Sequence, residues 1–281
     1  MLELIFFIPK DAQKKLMLEF IKPTFLNLVA TEKMSSFTYT SYPKRLILEV
    51  FTTENKPSFE EQISTKWKQF LHEEHAYFEA FKTTEVQTLF REFTMDYIKF
   101  SANEDASESD PFYSSDSSVL HLDILENLVQ NEYDFEYSLC LVFTFLYCLG
   151  GYSPTVFLQR SKALQETLEF YASTKEKLDT EVTAILSENK EEIEKRLDTL
   201  FLELSSFYTL NDCPRVFSKW KLSYGMGIAK DETIDSSALF EKFRSQLFFS
   251  DPEIYMITAM IIDYHEKGLS RTNLLSYNKY S

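Results

Sequence analysis

Glycine is scarce in this chain, five residues in 281. Folds that wrap phosphates in glycine-rich turns need more, and neither G-x-G-x-x-G nor G-x-x-x-x-G-K-S/T occurs, which argues against nucleotide binding through those loops. Cysteine is rarer still, at three, with no C-x-x-C pair and no Cys/His set at zinc spacing. Cys140 and Cys148 sit in an apolar run and Cys213 precedes Pro214; an odd count without a secretion signal points to the reducing cytoplasm. Basic residues are also short: 29 Lys and Arg against 44 Asp and Glu give a formal charge of -15. Phosphate backbones and anionic membranes are repelled by such a surface, so nucleic acid and membrane are not the expected partners. The longest apolar run, Tyr137 to Leu149, falls short of the ~20 residues that cross a bilayer and reads as a buried core helix. No G-x-S-x-G elbow is present for a serine hydrolase. Carboxylates are too abundant for a glycosidase pair to stand out by sequence.

What the chain does hold is aromatic and apolar residues, 26 Phe and 16 Tyr among them, enough for a sizeable core. Leu2 to Ile8 reads as a buried strand. Asp11 is the expected cap of the next helix, which Pro23 should kink or split. Ser36 to Tyr39 and Arg45 to Phe51 read as strands paired across a Ser41–Lys44 turn. A capping-box pattern at Ser58 predicts a helix to about Glu74. Tyr77 to Phe100 mixes β-branched and aromatic residues and reads as strands, and Asn103 to Pro111 as an exposed acidic loop. Ser115 or Asp116 caps an amphipathic helix. Phe135 to Leu149 follows as the core helix, and Ser153-Pro154 opens another. From Leu178 to Tyr208 a charged helix carries Leu, Ile and Val at heptad-like spacing, which reads as packing along its own domain rather than as a coiled-coil surface. Asp251-Pro252 starts a helix through Tyr264, and Arg271 to Tyr280 forms a short terminal helix or strand. The whole is α+β: a strand-rich N-terminal third with an antiparallel sheet and a helix-rich remainder.

The four histidines give little. His72 and His75 share a Glu-rich helix end, where metal capture would be weak at best. His121 lies one turn into its helix; it is either a general acid/base whose charged form the helix dipole disfavours, or a half-exposed helix residue. His265, placed at the end of the late helix, suits a cation at a C-terminal dipole.

Several segments, in order, carry a family likeness: Phe6-Phe7-Ile8, Pro23 within its helix, Arg45-Leu46-Ile47-Leu48-Glu49, Asp96 followed by Lys99-Phe100-Ser101, Phe112 to Leu120, and Leu274 to Lys279. Together they resemble the thiopeptide-type bacteriocin biosynthesis domain, the family of the glutamate-elimination domains of split lanthipeptide dehydratases. The resemblance covers nearly the whole chain and implies one domain over 1–281, with a strand-rich part at 1–110 and a helical part at 111–281. The family's strand carries two arginines where Ile47 and Glu49 stand here, an arginine at Lys99, and a histidine at Leu274. Eliminating glutamate needs a mobile proton and cations for the enolate and the leaving carboxylate. Ile47 cannot bind an anion, Glu49 repels one, and Leu274 cannot move a proton.

The resemblance therefore implies the family's other chemistry, pyridine ring closure in a thiopeptide. Two dehydroalanines are brought together, the intervening amide becomes its iminol, and water and then leader peptide are lost, a task of proximity and modest proton transfer. Tyr97, Tyr113, Ser117, His121 and Tyr277 lie beside the matched segments and are the expected catalytic groups. No cofactor and no metal are implied. The expected partner is a ribosomally made precursor peptide, leader and dehydrated core, with other maturation enzymes as further candidates. Its recognition would be apolar or use a basic patch near Lys14, Lys15 and Lys22. The alternatives are a stand-alone elimination subunit and a non-catalytic peptide-binding scaffold.

Overall fold

The computed structural model describes residues 1–81, 95–102, 115–150, 154–168, 170–210 and 236–277. The chain forms two compact units, Met1–Asn127 with Lys242–Phe248, and Leu128–Glu241 with Phe249–Ser281.

The first unit is built on a four-stranded antiparallel sheet in the order β2-β3-β1-β4, with β1 Leu2–Phe6, β2 Met34–Tyr42, β3 Arg45–Thr52 and β4 Ile98–Ala102. Alternation sets its two faces. Leu2, Leu4 and Phe6, with Leu46, Leu48 and Val50, are buried, whereas Glu3, Ile5, Ile47 and Glu49 between them are only half-buried. The strand expected to be buried throughout is thus buried on one face. Against that face lie α1 (Lys10–Lys15), a π-helical turn (Leu16–Ile21), α2 (Lys22–Ala30) and α3 (Lys56–Glu73). Phe59, Ile63, Trp67 and Phe70 fall at helical spacing and form one buried stripe on α3. Trp67 meets Phe6 and Phe20 edge-on at 5.3 and 5.2 Å, and its indole N–H donates to the Met95 carbonyl at 2.8 Å.

Pro23 leaves its mark upstream. It occupies the first turn of α2, and the Lys22 N–H donates to the Met17 carbonyl, five residues back. The wider π turn keeps the helix running into a residue that has no N–H of its own. Asp11 lies inside the first turn of α1, whose cap position is Pro9, and α3 starts at Lys56 after Asn55 without a side-chain cap. Proline in the first turn did the work assigned to the Ser58 cap. Tyr77 to Glu79 belong to a short helix, α4 (His75–Glu79), not a strand; of the remainder of that segment only Ile98 to Phe100 is strand among the described residues.

α2 ends in a Schellman motif: Glu32 N–H bonds the Val29 carbonyl, Lys33 N–H the Leu28 carbonyl, and Glu32 takes φ 57°. Glycine is at ease there and a Cβ is not. Glu32→Gly is expected to stabilise the protein by about 1 kcal/mol; a lowered urea midpoint would contradict this.

α5 (Ser115–Gln130) crosses from the first unit to the second, as does α9 (Ser236–Gln246) in the reverse direction. The second unit is helical: α6 (Phe135–Gly150), α7 (Pro154–Thr167), α8 (Ala172–Leu210) and α10 (Asp251–Tyr277). α6 is buried from Leu139 through Tyr147 on all sides. Within that stretch the Thr144 hydroxyl donates back to the Cys140 carbonyl at 2.7 Å. Phe143 stacks on His265 of α10 at 5.9 Å and packs against Phe157 of α7 at 5.1 Å. α8 does pack along its own unit: Leu178, Val182, Leu197, Leu200 and Leu204 are buried, and its Asp179 and Asp198 accept hydrogen bonds from Tyr255 and Tyr264 of α10. The helix breaks at Asn189 (φ -121°, ψ 15°), where the side-chain amide donates to the Ile185 carbonyl. α10 runs on past Tyr264 to Tyr277 as one helix, so His265 is interior to it. Among the described residues, no helix is long and apolar enough to cross a membrane.

Candidate functional site

The half-buried face of the sheet is where the matched sequence positions meet. Antiparallel register puts directly opposed residues on the same face. One row across all four strands reads Thr40, Ile47, Ile5, Lys99; the next reads Thr38, Glu49, Glu3, Ser101. Ile47, Glu49 and Lys99, recognised from separate segments, therefore share one face. Lys99 is exposed at the β4 end, and the two isoleucines make an apolar centre. Ser101 Oγ donates to Glu3 Oε2 at 2.9 Å. Leu274 is on α10, with its side chain outside the described residues.

The β2 side of this face is closed by α5 and α9. Gln246 Nε2 donates to Thr38 Oγ1 at 3.0 Å and to the Tyr39 carbonyl at 2.9 Å, and Tyr39 hydroxyl donates to the Gln246 carbonyl at 3.2 Å. With its amide nitrogen so engaged, the Gln246 oxygen faces His121 Nδ1 in a short hydrogen bond, which requires the proton on Nδ1. His121 is buried, 1% exposed, rather than half-exposed. Burial pushes its pKa down to about 4, against the opposing pull of the Gln246 bond and with help from the Lys242 charge. The neutral imidazole thus braces α5 to α9.

The other expected catalytic groups are scattered or undescribed. Tyr97 is exposed, in the turn that enters β4. Ser117 lies in the first turn of α5 and Tyr277 ends α10, both with side chains outside the described residues; Tyr113 and the Asn103–Pro111 loop lie outside them altogether. The basic patch is not available as such: Lys15 sits between Glu19 and Glu74, and Lys22 between Asp123 and Glu126 at 2.8 and 2.7 Å. His75 pairs with Glu79 at 3.0 Å, and among the described residues no three metal-ligating side chains gather. His265 is neither terminal nor cationic: burial among Phe143, Phe157 and Tyr264 pushes its pKa down to about 4. In the second unit a groove of about 510 Å³ opens at the Asn189 break, floored by Phe135, Leu139, Ile185 and Ile193. It holds none of the residues singled out from sequence.

Sequence reading missed Glu3, Thr38, Ser101 and Gln246. Glu3 did leave a signal, as the lone charge inside the apolar run Leu2 to Ile8. Gln246 left none, because its partners are 207 and 208 residues away.

No protein-family model matches this sequence, and no curated protein matches it. Solved structures do match it. One match is the solved structure of TbtD, described as the pyridine synthase from thiomuracin biosynthesis: TM-score 0.60 at 13% identity, over 94% of this chain and 96% of TbtD. A second match is TsrL, with TM-score 0.51 at 14% identity over 94% and 95% of the two chains. At such identities the likeness is one of fold.

Proposed function

We propose that this chain is a thiopeptide-maturation enzyme that closes a pyridine ring by formal four-plus-two cycloaddition of two dehydroalanines, with loss of water and leader peptide. The shared fold supports an enzyme of this class acting on a precursor peptide. The choice of reaction is carried by the half-buried sheet face. Elimination must stabilise a departing glutamate, and that face presents Glu3 and Glu49 directly opposed, with Ile47 beside them. Two carboxylates there oppose a third. Ring closure forms no free carboxylate and needs a shaped apolar floor with proton acceptors, which Ile5, Ile47 and the glutamates supply.

Glutamate elimination is the second reading, favoured by Lys99, a cation on the same face. Lysine is a point charge and does not reproduce the two-pronged grip of arginine.

The test is incubation with two peptides, a bis-dehydroalanine precursor bearing azoles and a glutamylated precursor, followed by mass spectrometry and ultraviolet absorbance. Pyridine absorbance with released leader is expected from the first, and no change from the second. Loss of glutamate from the second without ring formation from the first would replace ring closure by elimination.

A further inference from the structure

Several cations of the first unit are already taken: Lys15, Lys22 and Lys33 each sit against a carboxylate. Arg45 and Lys99 differ. Both are exposed, both belong to the half-buried face of the sheet, and among the described residues no carboxylate forms an ion pair with either. Arg45 stands two positions before Ile47 on β3, and its guanidinium lies over the ring of its cross-strand partner Tyr42 at 5.0 Å. A guanidinium stacked in this way keeps its N–H edge for a carboxylate. Lys99 lies directly opposite Ile5. Tyr42 and Tyr97, 40% and 45% exposed, stand at the same end of the sheet, one on each flank. Two cations thus bracket an apolar centre, Ile47 and Ile5.

The spacing selects a ligand. Lys99 is two strands across from Arg45 and one two-residue step along, which separates their Cα atoms by about 12 Å. An extended peptide covers about 13 Å in four residues and keeps positions i, i+2 and i+4 on one side. Carboxylates at i and i+4 then meet the two cations while the residue between them rests on Ile5 and Ile47. The next row of the face carries Glu3 and Glu49, which turn an acidic segment away from that end. A chain of charge -15 repels such a segment over most of its surface, so local cations decide where it docks.

We infer that this end of the sheet docks an extended acidic segment of the precursor peptide, with two carboxylates four residues apart on Arg45 and Lys99 and an apolar residue held between them. The inference rests on a precursor peptide as substrate, but not on which reaction follows. It gives the basic recognition that Lys15 and Lys22 do not offer a place in the fold.

The experiment measures binding to the full chain by fluorescence anisotropy. Its probes are labelled peptides built on Glu-Ser-Leu-Ser-Glu, on the neutral Gln-Ser-Leu-Ser-Gln, and on Glu-Glu-Ser-Leu-Ser, which has the same charge at the wrong spacing. The first should bind about tenfold tighter than the second, since each exposed ion pair supplies roughly threefold, and tighter than the third. Arg45→Gln and Lys99→Gln should each weaken it about threefold and leave the neutral peptide unaffected. The preference should vanish between about 0.01 M and about 1 M salt. The double variant Arg45→Glu/Lys99→Glu should lose the acidic peptide and gain about tenfold for Lys-Ser-Leu-Ser-Lys relative to wild type. Its melting temperature should stay unchanged, because both side chains are exposed. Equal binding of the acidic and neutral peptides by wild type would overturn the inference, as would acidic-peptide binding that survives the double charge reversal. Acidic-peptide binding by a protein that forms no pyridine would remove the ring-closure reading and leave this docking face in place. Pyridine formation without that binding would remove the docking face alone.

Discussion

Acid is expected to destabilise this protein through His121. Its pKa falls from 6.5 in the unfolded chain to about 4 in the fold. Between those values the unfolded chain binds the extra proton and the folded one does not, so stability is full above about pH 6.5 and declines as pH falls toward 4. The expected loss from this one residue is about 3 kcal/mol. Titrating carboxylates add their own slope, so the comparison is with His121→Gln, which keeps a donor for Gln246 and cannot gain charge. Urea unfolding at intervals from pH 7 to pH 4 should show a shallower decline in the variant. Equal slopes in the two proteins would mean that His121 is not the buried neutral group described above.

Trp67→Ala is expected to be among the most destabilising single changes in the first unit. The indole touches Phe6, Phe20, Phe70 and Phe78 with centroid distances from 5.2 to 6.2 Å, and it fills the space between the sheet and three helical segments. Truncating a buried tryptophan typically costs ~3–5 kcal/mol in lost transfer energy and residual cavity. The change also leaves the Met95 carbonyl, just before β4, without the indole donor. Equilibrium unfolding followed by fluorescence of the remaining tryptophan and by circular dichroism should register that loss. A penalty below about 1.5 kcal/mol would show that the aromatic cluster can collapse into the space.

The elements that sequence made legible are those whose signals are local. The β2–β3 hairpin follows from a segment of threonine and aromatic residues and an apolar run on either side of the Ser41–Lys44 turn, and α6 from an apolar stretch too long for a strand. α8 follows from its charged heptads. The α+β division came from the same patterns. Helix starts were displaced at Pro9 and Pro57, where a proline competed with a side-chain cap. His121 and His265 were misjudged because burial is decided by other segments. His121 depends on Gln246, 125 positions away, and His265 on aromatic residues of α6 and α7. The site was partly legible. Ile47, Glu49 and Lys99 were recognised one by one, but only strand register shows that they occupy adjoining rows. The pairing of Glu49 with Glu3 depends on which strand lies beside β3, and no local pattern encodes that neighbour.

Gln246 has a consequence beyond holding His121. β2 is an outermost strand, and a bare outer strand is a template on which another molecule can add a strand of its own. The Gln246 amide occupies the outward carbonyl of Tyr39, so the helix end acts as a guard against intermolecular assembly. A chain with Gln246 replaced by leucine would keep its fold's apolar content and still present that carbonyl to its neighbours. Concentration-dependent fibril or oligomer formation is then the way its failure would show, before any loss of secondary structure.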